Sequence, residues 1–180
     1  MKKTIFISII LTISWVYTNA QSKISLTGGV NYSSVSSVNS SNPDGRIGLN
    51  AGIAYKRYIN DLGWFIKPGL FYSQEGWLHQ RLDYINLPFV AGFDFTEDFN
   101  FNIGLQYGYL AGGTNLPPNR FISSNYAFLI GFEFYPVKSF DVGLRFSNGF
   151  MNIIDEPDLV EDARTYNIHF YFGFNISSKE

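Results

Sequence analysis

Three segments of the chain alternate between apolar and polar residues with a period of two. Residues 46–56 carry Ile, Leu, Ala, Ile and Tyr at the odd positions and Gly, Asn, Gly, Ala and Lys at the even positions that follow Arg46. Residues 99–109 and 166–176 repeat this alternation, with Phe and Tyr prominent on the apolar side. Because successive side chains of a β-strand point to opposite faces, the period predicts strands with one apolar face.

Continuing this interpretation along the chain predicts eight strands, at residues 23–33, 46–58, 64–76, 81–95, 99–112, 124–136, 140–151 and 164–177. Three connectors are short (59–63, 96–98, 137–139) and three are long and polar (34–45, 113–123, 152–163), while the connector at 77–80 is short where a long one is expected. Short turns at one end and long loops at the other are typical of outer-membrane barrels, with both chain ends on the periplasmic side. The predicted fold is all-β, an eight-stranded antiparallel up-and-down transmembrane β-barrel.

The composition of the two faces indicates which one meets water. Aromatic residues make up 18% of the chain and charged residues 16%, and no apolar run beyond residue 21 has the length of a spanning helix. A soluble barrel such as a lipocalin, which is the alternative, places its apolar face inside. An aromatic and aliphatic face costs nothing in contact with lipid, whereas buried charges are costly unless well paired. We therefore expect the apolar face outside and the polar face inside.

The N-terminal residues 1–20 have the layout of a secretory signal peptide. Lys2 and Lys3 precede an uncharged apolar run, and Thr18 and Ala20 are small residues that suit cleavage after Ala20. This predicts a signal peptide at 1–20, a barrel domain at 21–180 and localisation in the cell outer membrane. The chain has no cysteine, which excludes a lipidated Cys, and a net charge of −2 without a basic run makes nucleic acid an unexpected partner.

Aromatic residues are predicted to mark the two membrane interfaces. Trp64, Tyr55 and Tyr58 fall near the periplasmic strand ends, and Tyr72, Trp77, Tyr109, Tyr126 and Tyr166 near the outer ends. On the final strand Phe170, Phe172 and Phe174 are expected to face lipid. Such an aromatic-rich last strand predicts recognition by the barrel assembly machinery, with outer-membrane lipids and lipopolysaccharide as further partners.

The inward positions predict a plugged lumen. An eight-stranded barrel is only wide enough for side chains to fill. Six charged residues are predicted to form an ion network in the periplasmic half of this interior: Lys56, Lys67, Asp94, Glu133, Asp141 and Arg145. Glu133 and Asp141 should lie near each other across a hairpin, which requires Arg145 or Lys67 to reach between them. Phe65, Phe71 and Leu129 should fill part of the remaining space.

Residues 65–76 (Phe-Ile-Lys-Pro-Gly-Leu-Phe-Tyr-Ser-Gln-Glu-Gly) and 82–89 (Leu-Asp-Tyr-Ile-Asn-Leu-Pro-Phe) resemble the PorT-like outer-membrane β-barrel family of Bacteroidetes. That family has a Tyr-Ser-Gln-x-Gly element on one strand and a Tyr-Leu-x-Ile-Pro-Leu element on the next, and residues 104–113 resemble its Gly/Tyr-rich fifth strand. The run Ile85-Asn86-Leu87 departs from the family's Leu-Glu-Ile type, which leaves the subfamily open. The resemblance implies an integral outer-membrane barrel and, for a few members, a part in protein secretion and gliding.

The sequence offers little catalytic chemistry. His79 lies in the short outer connector with no nucleophile placed beside it, and His169 falls on the inward face at mid-strand. Asp155, Glu156, Asp158, Glu161 and Asp162 cluster in the last outer loop, but their spacing matches no defined Ca²⁺ loop. We therefore predict no catalytic site, no metal site and no cofactor.

The function that fits best is a non-enzymatic barrel that acts as a structural or surface-interaction component of the envelope. The loops at 34–45, 113–123 and 152–163 are the expected contact surfaces, including for an envelope or secretion protein, because a rigid scaffold can present variable loops. Two other classes stay open at this point. One is a lipid-modifying barrel enzyme, and the other is a narrow channel or secretion-accessory barrel.

Overall fold

The computed structural model describes residues 22–37, 43–114, 122–154 and 163–177. These residues form eight strands: β1 Ser22–Ser37, β2 Arg46–Tyr58, β3 Trp64–Trp77, β4 Gln80–Asp94, β5 Phe99–Thr114, β6 Ser124–Val137, β7 Phe140–Gly149 and β8 Ala163–Ser177. The predicted strands are all present, and their bounds differ from the predicted ones by four residues at most. The described residues include no helix long and apolar enough to cross a membrane.

Each strand pairs antiparallel with the next one along the chain, and β8 pairs with β1 to close the barrel. The closing ladder runs from Lys23 opposite Ser177 to Ser37 opposite Ala163. Both ends of the described chain therefore lie at the same end of the barrel, as an even number of antiparallel strands requires. The prediction of an eight-stranded antiparallel up-and-down barrel is confirmed.

The connectors differ between the two ends of the barrel. At the end that holds both chain ends, the β2–β3 turn is fixed by the Asn60 side chain, whose Oδ1 accepts hydrogen bonds from the backbone N–H groups of Leu62 and Trp64 at 3.1 and 3.2 Å. At the other end the β3–β4 connector is short, with Trp77 directly opposite Gln80. Gly76 precedes this turn with a φ of 112°, a conformation that L side chains rarely adopt.

The outer surface of the barrel is apolar along most of its height. On β8, Phe170, Phe172 and Phe174 are 42%, 46% and 56% exposed. They alternate with inward-facing residues, of which His169, Tyr171 and Asn175 are buried. Exposed Leu, Ile and Phe side chains occur in the same way on the other strands. Contiguous apolar surface on this scale is foreign to a soluble monomer and suits hydrocarbon. The inverted arrangement of the faces, apolar outside and polar inside, is confirmed.

Two of the aromatic residues expected at the interfaces lie elsewhere. Tyr58 shares its face with Lys56, so its ring turns toward the lumen, where the hydroxyl donates to Asp94 Oδ2 at 2.6 Å. Trp77 packs against a buried apolar cluster at the outer end of the lumen. Proximity to a strand end was the reason for both predictions, but the face that a residue occupies decides whether it can reach lipid. Of the other six predicted residues, Trp64, Tyr55, Tyr72, Tyr109 and Tyr126 are exposed, and Tyr166 is partly exposed.

Replacing Phe172 and Phe174 together with Asp is expected to block membrane insertion, because each substitution puts a charge on the lipid face, which costs up to about 2–4 kcal/mol at mid-depth for Arg or Lys and somewhat less for Asp. The readout is heat-modifiable migration on gels together with retention in the membrane fraction. Phe172→Leu with Phe174→Leu is the matched control, and it should insert normally. Normal amounts of the embedded Asp variant would contradict the assignment of these positions to lipid.

Candidate functional site in the barrel lumen

The centre of the periplasmic half of the lumen is the carboxylate of Glu133, whose side chain is fully buried. Its Oε1 accepts hydrogen bonds from Lys67 Nζ and the Tyr171 hydroxyl, both at 2.6 Å. Its Oε2 accepts from Asn100 Nδ2 at 3.0 Å and the Tyr135 hydroxyl at 2.8 Å. Two donors on each oxygen, one of them cationic, are the condition under which a charge can be kept out of water.

A second ion pair lies at the periplasmic rim and connects to the first. Lys56 Nζ donates to both carboxylate oxygens of Asp94, at 2.8 and 3.1 Å. The same ammonium reaches the hydroxyl of Tyr135 at 3.5 Å, and Tyr135 in turn donates to Glu133. Lys56 also stands 3.9 Å above the centre of the Phe65 ring, a cation–π contact. The structure thus brings Lys56, Lys67, Asp94 and Glu133 into one hydrogen-bonded network.

Asp141 and Arg145 lie on the same face but form no ion pair among the residues that the structure describes. Asp141 Oδ1 accepts from Asn175 Nδ2 at 2.6 Å. The guanidinium of Arg145 lies over the Phe71 and Tyr171 rings, 5.4 and 5.2 Å from their centres. The arrangement expected between Glu133 and Asp141 is therefore not the one observed, because Lys67 reaches Glu133 and no cation joins it to Asp141.

The ring of Tyr171 explains this separation. Gly143 lies between Asp141 and Arg145 on the inward face of β7, and a Cβ there would run into the Tyr171 ring. The glycine leaves room for the ring, which occupies the level between the two charged residues of β7. Tyr171 then presents its hydroxyl to Glu133 and its face to Arg145.

Glu75 is a buried carboxyl group that is absent from the network predicted from the sequence. It is 1% exposed, and its two carboxylate oxygens accept from Asn86 Nδ2 at 2.8 Å and Asn167 Nδ2 at 2.9 Å. Asn167 also donates to Ser147 Oγ at 3.2 Å. Glu75 is eight residues from Lys67 on the same strand and so shares its inward face. The alternation alone could have identified it.

An apolar cluster closes the outer end of the lumen. Its buried members come from four different parts of the chain: Val35, Leu82, Tyr84, Ile153 and Ala163. Trp77, Leu110 and Ile154 pack against them. Within the described residues, this mostly hydrocarbon cluster lies across the outer end of the lumen, above the polar network.

The two histidines considered for catalysis do not come together. His169 is buried on the luminal face, and His79 lies in the exposed turn between β3 and β4. Within the described ranges no group of three or more His, Cys, Asp or Glu side chains could hold a metal ion. The acidic cluster from Asp155 to Asp162 lies outside the described residues. In the described residues, side chains fill the lumen, and the charged groups lie at several depths along it.

Lys67→Met is expected to lower the free energy of unfolding by about 3–5 kcal/mol, because it leaves the Glu133 carboxylate buried without its cation. Adding Glu133→Gln to this variant should recover part of the loss, so the two substitutions should be strongly non-additive. Urea titration of protein folded in detergent, followed by tryptophan fluorescence, measures both values. The control is Arg81→Gln, which removes the more exposed pair with Asp83 and should cost about 0–1 kcal/mol. Additive effects of Lys67 and Glu133 would contradict the pairing.

Several solved structures share this architecture at low sequence identity. Ail, the attachment invasion locus protein of Yersinia pestis, is 12% identical with a TM-score of 0.55, and the match covers 87% of this chain and 99% of that one. Ail has also been solved in complex with the heparin analogue sucrose octasulfate, and that chain is 16% identical with a TM-score of 0.54 over 87% of this chain and 99% of its own. Neisserial surface protein A is 12% identical with a TM-score of 0.57, covering 88% of this chain and all of the other. Identities this low establish the shared fold.

The family assignment rests on a match of the sequence to a family model. No significant match was found among curated protein sequences. The family described as outer membrane protein beta-barrel domain, in contrast, matches residues 19–179, which is nearly the whole chain. Together with the closed eight-stranded barrel and its apolar exterior, this match shows that the chain belongs to the outer membrane protein beta-barrel domain family and is a protein of the cell outer membrane.

Proposed function

We propose that this outer-membrane barrel is a non-enzymatic structural or surface-interaction component of the envelope that works through its outer loops. The proposal rests on hydrogen bonds between the residues at the ends of the outer loops. The backbone N–H of Ile122 donates to the carbonyl of Ile153 at 2.9 Å, and the N–H of Ile153 donates to Ala163 at 3.0 Å. Ile153 and Ala163 also belong to the apolar cluster that closes the lumen. The loops at 113–123 and 152–163 therefore rise from one rigid base.

The third long loop has a fixed base as well. Ser34 Oγ donates to the carbonyl of Pro43 at 2.8 Å, which ties the two sides of the loop at 34–45 together. The backbone carbonyl of Asp44 accepts a hydrogen bond from the backbone N–H of Leu78 at 3.0 Å, which joins this loop to the β3–β4 turn. A scaffold that fixes the ends of several loops at one edge suits recognition of a partner by the loops.

The luminal charges fit a bracing role better than a ligand-binding or transport role. The carboxylate of Glu133 accepts from two side-chain donors on each oxygen, so it offers no free coordination position. We propose that the network of Lys56, Lys67, Asp94 and Glu133, with Asp141 and Arg145 beside it, holds the strands at a fixed spacing from inside. A narrow channel would need an open polar path, which the apolar cluster interrupts.

A lipid-modifying enzyme is the competing class. His169 lies inside the lumen, where a lipid ester cannot reach it, so His79 in the outer turn is the histidine to test. A fatty-acid release assay on phospholipid and lipopolysaccharide should show no turnover above an empty-membrane control. Turnover that disappears with His79→Ala would overturn the non-enzymatic proposal.

We also propose that the chain belongs to the PorT-like group of outer-membrane barrels. The two elements that carry the resemblance lie on neighbouring strands, with Ser73 opposite Tyr84. Gly76, which closes the Tyr-Ser-Gln-x-Gly element, has the positive φ that makes glycine necessary there. Asn86 of the second element donates to Glu75 of the first. These contacts give the spacing of the elements a structural reason.

Export and membrane assembly complete the proposal. Cleavage of the signal peptide at 1–20 would leave 21–180 as the barrel, and an intact mass that still includes residues 1–20 in the membrane-embedded protein would contradict it. Insertion by the barrel assembly machinery follows from the aromatic final strand. Lipopolysaccharide is the expected lipid at the outer rim, where Arg164 points outward between the buried residues Ala163 and Thr165.

Site-specific photo-crosslinking in the native envelope tests the loop proposal. The photoreactive residue replaces Asp44, Ser123 or Met151, which are exposed beside the three outer loops. Asp61, exposed in the periplasmic turn between β2 and β3, is the matched control. We expect the outer positions to give a common set of adducts with lipopolysaccharide or an envelope protein, and Asp61 to give none of them. Identical adducts from both ends, or none from the outer end, would contradict the proposal.

A further inference from the structure

The hydrogen-bonded ladder is interrupted on both sides of β3, near the middle of the strand. Between β2 and β3 a single register holds, yet in this described part of the chain the pairs at 55/68 and 56/67 are missing. Between β3 and β4 the described residues likewise lack the pairs at 69/88 and 70/87, again without a change of register. Each of residues 67–70 is therefore paired with a neighbouring strand on one side only.

A proline lies in each of the two gaps. Pro68 falls in the gap between β2 and β3, and Pro88 falls in the gap between β3 and β4. On its other side each proline is paired without interruption, with β4 or β5 respectively. Because proline has no N–H, it cannot supply the ladder donor that the carbonyl opposite it would accept. The carbonyls that lose this donor are those of Tyr55 and Gly69.

Side-chain packing does little to replace the lost ladder bonds. A backbone carbonyl in the hydrocarbon region has no water to bond, so each gap is costly there. Pro68 and Leu70 have the parity of the outward face, and Gly69 has no side chain. Of these four described residues only Lys67 sends a side chain into the lumen, where its Nζ donates to Glu133 Oε1 at 2.6 Å.

We propose that residues 67–70 form a panel of the barrel wall that opens locally, and that the Lys67–Glu133 ion pair is the latch that holds this panel closed. Glu133 belongs to β6, three strands away from β3 in the barrel. The ion pair therefore holds the panel from inside, where the ladders at its two edges are incomplete. The other donors to Glu133 come from β5, β6 and β8, and they stay in place when the panel opens.

Opening of the panel is separate from unfolding of the barrel. Toward the outer end, β3 pairs with β4 without interruption from Phe71 opposite Asn86 to Trp77 opposite Gln80. This ladder keeps the rest of the strand in place while the panel moves. Segments that open locally exchange their amide protons at a free energy below that of global unfolding. The panel should therefore exchange by a route that leaves the barrel folded.

The first test is amide hydrogen exchange, followed by NMR on the protein refolded in detergent micelles. The reference is residues 103–105 of β5, which lie in the same rows of the sheet and are paired on both sides. The panel amides should exchange at least about tenfold faster than this reference, since each gap lacks one hydrogen bond. Equal protection of the two segments would overturn the proposal.

A substitution that restores a donor tests the cause of the opening. Pro68→Val adds an N–H at a lipid-facing position, so it repairs the ladder to β2 without disturbing the lumen. It should slow exchange of the panel about tenfold. Pro43→Val, which changes a proline outside the strands, is the matched control and should leave the panel unchanged. Panel exchange that Pro68→Val does not slow would contradict the role of the gaps.

The latch is tested by removing its charges. Lys67→Met should speed exchange of the panel about a hundredfold, because opening no longer has to break a buried ion pair. Lys138→Met, which changes an exposed lysine in the β6–β7 turn, is the matched control and should have no effect. If Lys67→Met does not fold, Glu133→Gln removes the same ion pair and should also speed panel exchange. Panel amides that exchange at the wild-type rate in either variant would overturn the latch.

Discussion

The pairing of β8 with β1 is the interaction on which the rest of the structure depends. A backbone N–H or C=O without a partner has no water to bond in hydrocarbon and costs several kcal/mol. The closing ladder, from Lys23 opposite Ser177 to Ser37 opposite Ala163, leaves the sheet without an open edge. Only because the backbone is satisfied within the ring can the strands present Phe, Leu and Ile to the surroundings on nearly every outward position.

Closure with eight strands also determines the chemistry of the interior. A ring of this size encloses a space that side chains fill, so polar residues there must satisfy one another. Glu133 meets this condition with four donors from β3, β5, β6 and β8, and thereby links strands on opposite sides of the lumen. The apolar cluster then closes the outer end. Because the interior is filled in this way, we propose the outer loops, whose described ends are joined by hydrogen bonds, as the surface through which the protein acts.

The sequence predicted the strands and their faces well, because a period of two is a direct consequence of strand geometry. It predicted contacts poorly. Alternation places Lys67 and Glu133 inside at similar depth, but it does not give their distance across the lumen, and it could not show that Gly143 lets the Tyr171 ring separate Arg145 from Asp141. The same alternation places Glu75 inside, because Glu75 and Lys67 are an even number of positions apart on one strand. Tyr58 was misplaced because its face was not considered.

A lumen closed by its own side chains and a function at the outer surface both require a barrel that conducts no ions. Planar-bilayer recording of the refolded wild type tests this most directly, with an open porin in the same lipid showing that the bilayer can report a channel. The wild-type barrel should show no steady conductance across the usual range of voltages. A steady, large, ohmic conductance that scales with the amount of inserted protein would contradict this expectation. Ions cannot pass a lumen that the Glu133 network and the apolar cluster fill.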